Sequence, residues 1–293
     1  MKITELFRQG EFVVTAEVGP PKGCHFADIS DAAKKYLSGL SAVNVTDCQS
    51  SVMRMGSLAA CKFLLDAGLN PIYQLTCRDR NRIGLQSDLL SAAAFGIENV
   101  LCLTGDHPKL GDHPGAKPVF DLDSVSLLAA VRALENGHDL AGNALVGEAP
   151  SFAKGAVVSP CSDSADAQLT KMERKVMAGA QFFQTQAVFD SEKFIAFTDR
   201  AKQFGVPVQV GIIIPKSVGM VRFMQNNVAG ISVPDSIITE LKKDPERTKA
   251  GIAGIEIAAR IIRECRPYCQ GVHIMALGWE DKVPALLAQA GLA

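Results

Sequence analysis

The sequence lacks the features that mark several whole classes of protein. No apolar run approaches the ~18 residues of a membrane span, and the opening MKITELFRQGEF has no apolar stretch of the secretory-signal kind. The formal charge of the 293-residue chain is −1, and no run of Lys and Arg interrupts it. That leaves no electrostatic case for nucleic acid or an anionic membrane surface as a partner. There is no G-x-G-x-x-G after an apolar run and no G-x-x-x-x-G-K-[ST], so neither a Rossmann crevice nor a P-loop is expected. The eight cysteines, Cys24, Cys48, Cys61, Cys77, Cys102, Cys161, Cys265 and Cys269, contain no C-x2-C pair. They read as reduced thiols of a cytoplasmic protein. No linker or low-complexity segment divides the chain, so one domain over 1–293 is expected. With 47% hydrophobic and 21% charged residues it can bury a sizeable core.

What is there is one pattern, repeated. A stretch with helical spacing ends at a glycine, and an apolar, β-rich run follows. The glycines are Gly39 before SAVNVT, Gly68 before PIYQLT, Gly96 before NVLCLT, Gly179 before FFQTQ, Gly205 before VPVQVGI and Gly271 before VHIMAL. Two more runs, Phe12–Val18 and Ala156–Ser159, bring the strands to eight. The runs are apolar on both faces, as in a parallel sheet covered by helices. Ile29, Ala32, Ala33, Tyr36 and Leu37 form one helical stripe, and Leu169, Met172 and Val176 another, with Asp166 the expected N-cap. Eight such units predict an α/β fold of the (β/α)8 TIM-barrel type. Two irregular stretches, 104–122 and 136–153, are expected to be functional or mobile loops.

A barrel of this kind works at the C-terminal ends of its strands. Those ends carry Glu17; Thr46 and Asp47; Gln74, Thr76 and Arg78; Thr104 and Asp106; Ser159; Gln184 and Gln186; and Lys216. In FVVTAEV, Val13, Thr15 and Glu17 share one face. A carboxylate on an otherwise apolar strand needs a reason. Burial disfavours its charged form, which suits a general acid. The alternative is a structural carboxylate paired with a Lys or Arg across the barrel. The tetrapeptide Gly-Asp-His-Pro occurs twice, at 105–108 and 111–114. Asp106 directly follows a strand and is the candidate; Asp112 lies deeper in the loop and is expected to be a solvated turn without a role. His107 has no partner at metal-ligand spacing. Cys24, Cys48, Cys77 and Cys161 each follow a strand, but their spacing is not that of a zinc site, and no metal is expected. Lys216, in a turn after Pro215, is a poor Schiff-base candidate.

Taken together, AEVGPP, VTDC, LTCRDR, LTGD, ERKVMAGAQFFQTQAVFD, GIIIPKS and HIMALG, in this order, resemble the methylenetetrahydrofolate reductase family from about residue 10 onward. The likeness is to the short prokaryotic form, the catalytic barrel with flavin at its mouth. It implies reduction of 5,10-methylenetetrahydrofolate to 5-methyltetrahydrofolate, in one-carbon metabolism and methionine biosynthesis. Hydride passes from NADH, NADPH or another reductant through FAD, with FMN the alternative. By motif, Glu17 resembles the general acid, and Asp106 the carboxylate near flavin and pterin. Gln186 and Leu277 resemble folate contacts. Thr46, Thr104, Gly105, Asp106, Ser159 and Lys175 correspond to flavin-binding positions, Lys175 through phosphate. Ser159 stands where a histidine is frequent, and Thr104 where a basic residue is. The resemblance implies a homo-oligomer or a complex with a second reductase subunit, zinc-containing in some relatives. Two other functions are compatible with the strand ends: a flavin-holding subunit whose chemistry needs a partner, and a zinc-dependent barrel methyltransferase.

Overall fold

The computed structural model describes residues Met1–Ala293. Eight strands, β1 (Val13–Val18), β2 (Ala42–Val45), β3 (Pro71–Thr76), β4 (Asn99–Leu103), β5 (Ala153–Val158), β6 (Phe182–Ala187), β7 (Val208–Ile213) and β8 (Gly271–Met275), are all parallel and close in chain order. The closure pairs Val13 with Gly271 and Thr15 with His273. A TIM barrel is therefore the fold, with helices between successive strands. No helix is long and apolar enough to cross a membrane.

The helical stripes seat as expected. Ala33 and Leu37 of the helix Ala27–Leu37 are buried, as are Leu169 and Met172 of the helix Ala165–Ala178. The latter begins differently from expectation. Ser164, not Asp166, is its N-cap, accepting from the Ala167 N–H, and Asp166 instead pairs with Arg200 across to the next helix. It ends at Gly179 with φ +117°, the left-handed turn that glycine adopts most cheaply. Gly271 serves another purpose. It is the first residue of β8, and a Cβ there would lie 2.2 Å from the Val13 carbonyl oxygen, so the barrel closes there only with a bare Cα. β5 begins three residues earlier than the apolar run suggested. Lys154 hid it: this lysine is buried, and its amine pairs with Glu135 on the helix Ser124–Glu135.

The barrel interior is layered. At the N-terminal end Val13, Ala42, Ile72, Leu101, Ala153 and Phe182 pack under Ile3, which the short helix Ile3–Arg8 inserts as a plug. Above this apolar layer the inward positions become polar: Thr15, Asn44, Gln74, Gln184, Gln209 and His273 are all buried. Buried polar groups are tolerated only when bonded to one another, and these are. Asn44 donates to Gln184 (2.8 Å), Gln184 to Gln209 (3.1 Å), and Gln209 to the Thr15 hydroxyl (3.2 Å). This amide belt forms the floor beneath the C-terminal mouth.

Candidate active site

Glu17 stands directly above the belt. It is 9% exposed. No Lys or Arg reaches it; its Oε1 accepts from Gln74 Nε2 (3.1 Å) and faces His273 Nε2 (3.3 Å). The Thr15 hydroxyl lies 3.0 Å from His273 Nδ1. Of the two acceptors in reach of the Thr15 hydroxyl proton, Nδ1 at 3.0 Å is nearer than the Val272 carbonyl at 3.5 Å. His273 then presents Nε2–H to Glu17. The second carboxylate oxygen, Oε2, is buried without a partner. An unsatisfied buried polar atom costs about 1–3 kcal/mol, and the residue that carries this one lines two cavities.

The first cavity, about 280 Å3, contains Gln186, Thr104, Gly105 and Asp106 with Glu17 and His273. The second, about 490 Å3, is lined by Thr46 and Leu277 with Glu17, Ile29 and Arg54. Gln49 and Glu17 line both. The structure thus gathers six of the site residues expected from the sequence in two cavities that share Glu17, with Thr46 and Leu277 in one and Thr104, Gly105, Asp106 and Gln186 in the other. The Thr46 hydroxyl is the second buried polar atom lacking a partner. Leu277 is 38% exposed and holds φ +52°, a strained conformation for leucine. Its carbonyl accepts from Lys216 Nζ, which also lies over the Trp279 ring at 4.7 Å.

Ser159 and Lys175 line neither cavity. Ser159 lies under Gly230, where a Cβ would come within 2.7 Å of its own Cβ. Lys175 is held behind the wall, donating to the carbonyl of Val157 at 2.6 Å. Burial, with Lys171 nearby, pulls its ammonium down to about 8. The Thr104 hydroxyl accepts from Ser124 N at the start of the helix Ser124–Glu135 (3.1 Å).

Asp47 and His273 belong to the site although the sequence reading gave neither a role. Asp47 is buried and accepts from Thr76 N (2.9 Å), Thr76 Oγ1 (2.8 Å) and Arg80 (2.8 and 3.2 Å). Burial pushes its carboxyl up, but Arg80 and Thr76 together hold it below the ordinary carboxylate range. Thr76 in turn packs 3.1 Å from where a Gly105 Cβ would stand, at φ +90°, so only glycine passes there. His273 was legible by alternation with Met275, the inward periodicity that had exposed Glu17.

The strand-end cysteines do not converge. Cys77 and Cys161 are buried thiols pushed up to about 12 by burial, Cys24 is exposed, and no three His, Cys, Asp or Glu side chains gather into a metal-holding set.

Fold and site define an enzyme of the TIM-barrel class with its acid–amide constellation at the C-terminal mouth. The family model for methylenetetrahydrofolate reductase matches residues 2–291. The chain is 28% identical to 5,10-methylenetetrahydrofolate reductase of Pectobacterium carotovorum subsp. carotovorum, over 87% of this chain and 82% of that one. It is 30% identical to the Escherichia coli (strain K12) enzyme of the same name, over 69% of this chain and 64% of that one. Among solved structures it resembles an uncharacterized protein from Clostridium thermocellum that binds two copies of 5-methyl-5,6,7,8-tetrahydrofolic acid. The TM-score is 0.66 at 17% identity, over 97% of each chain. The chain belongs to the methylenetetrahydrofolate reductase family, and its reaction is the reduction of methylenetetrahydrofolate.

Proposed function

We propose that Glu17 is the general acid of this reduction, and that a flavin at the mouth, refilled by NADH or NADPH, is the immediate reductant. The carrying observation is the pair of unlike oxygens on Glu17. Oε1 is occupied by two donors, Gln74 and His273. The oxygen left to carry the acid's proton is Oε2, which has no protein partner. The five-membered ring of the folate must open to an iminium before hydride can reach its methylene carbon, and opening requires a proton on the bridging nitrogen. Oε2 supplies it, and His273 and Gln74 hold the carboxylate left behind. Gln186 and Leu277, in the two cavities that share Glu17, bind the folate so that its bridge lies at the acid. Asp106, at the rim of the first cavity, takes the amino group of the pterin.

The residues present fit a flavin. The first cavity sets apolar Leu101, Leu103, Val157 and Met275 among amides, which suits a flat heterocycle. Thr104, Gly105 and Asp106 would hold the ring end there, with Thr46 contacting the flavin from the second cavity. Ser159 and Lys175 line neither cavity; Lys175 would have to leave the Val157 carbonyl to serve as the cation for the phosphate. When bound, the flavin supplies hydride to the methylene carbon. FAD is the expected form and FMN the alternative; the mass of the chromophore released on heating distinguishes them. The reading is tested with Glu17→Gln by stopped flow. Flavin reduction by nicotinamide is expected to persist while folate reduction is lost. Folate reduction at the wild-type rate would remove Glu17 as the acid.

A further inference from the structure

The second Gly-Asp-His-Pro copy was expected to be a solvated turn. It is an exposed bend, as expected, but it is not without contacts. The side chain of Asp112 reaches two other mouth loops. Its Oδ2 pairs with Lys22, on the loop after β1, and its Oδ1 accepts from the Met53 N–H (3.0 Å), on the loop after β2. His113 Nδ1 lies 2.8 Å from the same Oδ1. Lys22, then His113 and the Met53 amide, hold the Asp112 carboxyl well below the ordinary range, so it stays ionised near neutral pH. Gly111 is required for space rather than for φ. A Cβ there would lie 1.8 Å from the carbonyl oxygen of Ser51, so the two backbones touch.

Ser51 is the link to the first copy. Its hydroxyl donates to the Asp106 carbonyl (2.8 Å) and lies 3.3 Å from that of His107, while accepting from Arg78 Nη1 (3.2 Å). The loop that carries it is strained: Cys48, Ser50 and Ser51 all hold positive φ, at +46°, +55° and +58°. Left-handed conformations of non-glycine residues persist only where surrounding contacts over-determine them. Cys48, Gln49 and Ser50 are also wall residues of the first cavity. The wall loop is thus gripped on one side by Arg78 and on the other by the second tetrapeptide. Through Ser51 it fixes the backbone from which the Asp106 carboxylate projects.

We propose that the second tetrapeptide is a positioning device for the first. Gly111 against Ser51 and Asp112 at the Met53 amide clamp the loop Cys48–Met53, and Ser51 holds Asp106 at the cavity. Asp112 touches no substrate and acts through Asp106. The functional half of the proposal rests on the reading of Asp106 as the folate-side carboxylate; the mechanical half does not.

Two measurements separate the halves. Hydrogen exchange of the holoenzyme in Asp112→Asn and Gly111→Ala reads the mechanical link. Faster exchange is expected at the Val52 and Met53 amides, bonded to Gln49 and Asp112, and at the Leu110 amide, bonded to the His107 carbonyl, with the barrel strands unchanged. Unchanged exchange there in both variants overturns the proposal. A double-mutant cycle between Asp112→Asn and Asp106→Asn, read as kcat/KM for methylenetetrahydrofolate, measures the functional half. Asp112→Asn alone is expected to lower kcat/KM about tenfold, a coupling of the size found for residues that share a network. In the Asp106→Asn background the same change is expected to cost less than about twofold. A tenfold loss in both backgrounds makes Asp112 a general stability residue and refutes positioning. If Asp106→Asn alone is silent while exchange rises in Asp112→Asn, the Asp106 assignment fails and the clamp stands. Should Asp112→Asn not fold, Lys22→Met releases the same carboxylate from one side and is read in the same cycle.

Discussion

Lys175 offers a prediction with a magnitude that comes from the structure. Its amine is buried behind β5 and bonded only to the Val157 carbonyl, and burial lowers it to about 8. An unfolded lysine titrates near ~10.4. Between these values the unfolded chain holds the proton and the folded chain does not. Stability from this group is therefore least below pH 8 and rises with pH at roughly 1.4 kcal/mol per unit, about 3 kcal/mol in all. The protein as a whole will not show this rise. Its six buried thiols, Cys61, Cys77, Cys102, Cys161, Cys265 and Cys269, are all pushed up by burial. Each contributes stability that is lost as pH climbs through the unfolded thiol value of ~8.5. The test is therefore a difference. Urea unfolding of the wild type and Lys175→Met, at pH 7 and pH 9.5, cancels the thiols. The stability of the wild type relative to the variant should increase by about 2 kcal/mol between those two conditions. At pH 7 the variant should be the more stable apoprotein, because it no longer buries an ammonium. A difference that stays constant within about 0.5 kcal/mol refutes the burial argument. Phosphate binding against Lys175 would restore its proton. Flavin addition at pH 9 should then take up protons, and should not in Lys175→Met.

Other changes test other parts of the site. Asp47→Ala strands Arg80 without its main partner and removes the acceptor of Thr76; a loss of about 3 kcal/mol is expected in denaturant unfolding, and a loss under about 1 kcal/mol would show the pair to be incidental. His273→Ala leaves Oε1 of Glu17 with one donor, so folate reduction should slow by about tenfold or more while flavin reduction by nicotinamide is kept; equal slowing of both half-reactions would point to a folding defect instead. Leu277→Gly relieves a left-handed leucine but adds chain entropy, two terms of about 1 kcal/mol that nearly cancel. The thermal midpoint should hardly move, and KM for folate should rise; an unchanged KM would take Leu277 out of the folate site.

The barrel was legible because its signals are local. Each strand is an apolar run, each helix a stripe of 3.6-residue period, and most junctions are marked by glycine. Glu17 was legible for the same reason, as a charge on an apolar strand face, and Asp106 as the residue that ends a strand turn. The exceptions were also local. Ser164 outcompeted Asp166 for a helix start two residues away. β5 was shortened in the reading by a lysine whose amine finds Glu135 on a neighbouring helix.

What the chain could not state by itself is which side chains meet across the mouth. Thr15, His273 and Gln74 come from β1, β8 and β3, and only closure of the barrel sets them around one carboxylate. The identity of Glu17 was in the sequence; that its two oxygens are unlike, one held by donors and one buried without a partner, was decided by the fold. The repeated Gly-Asp-His-Pro shows the same division. Its two copies are indistinguishable by composition, and position along the chain favours only the first. Tertiary structure alone brings the second against Ser51 and Met53, some sixty residues earlier, because a loop partner is chosen by distance in space and leaves no periodicity in sequence.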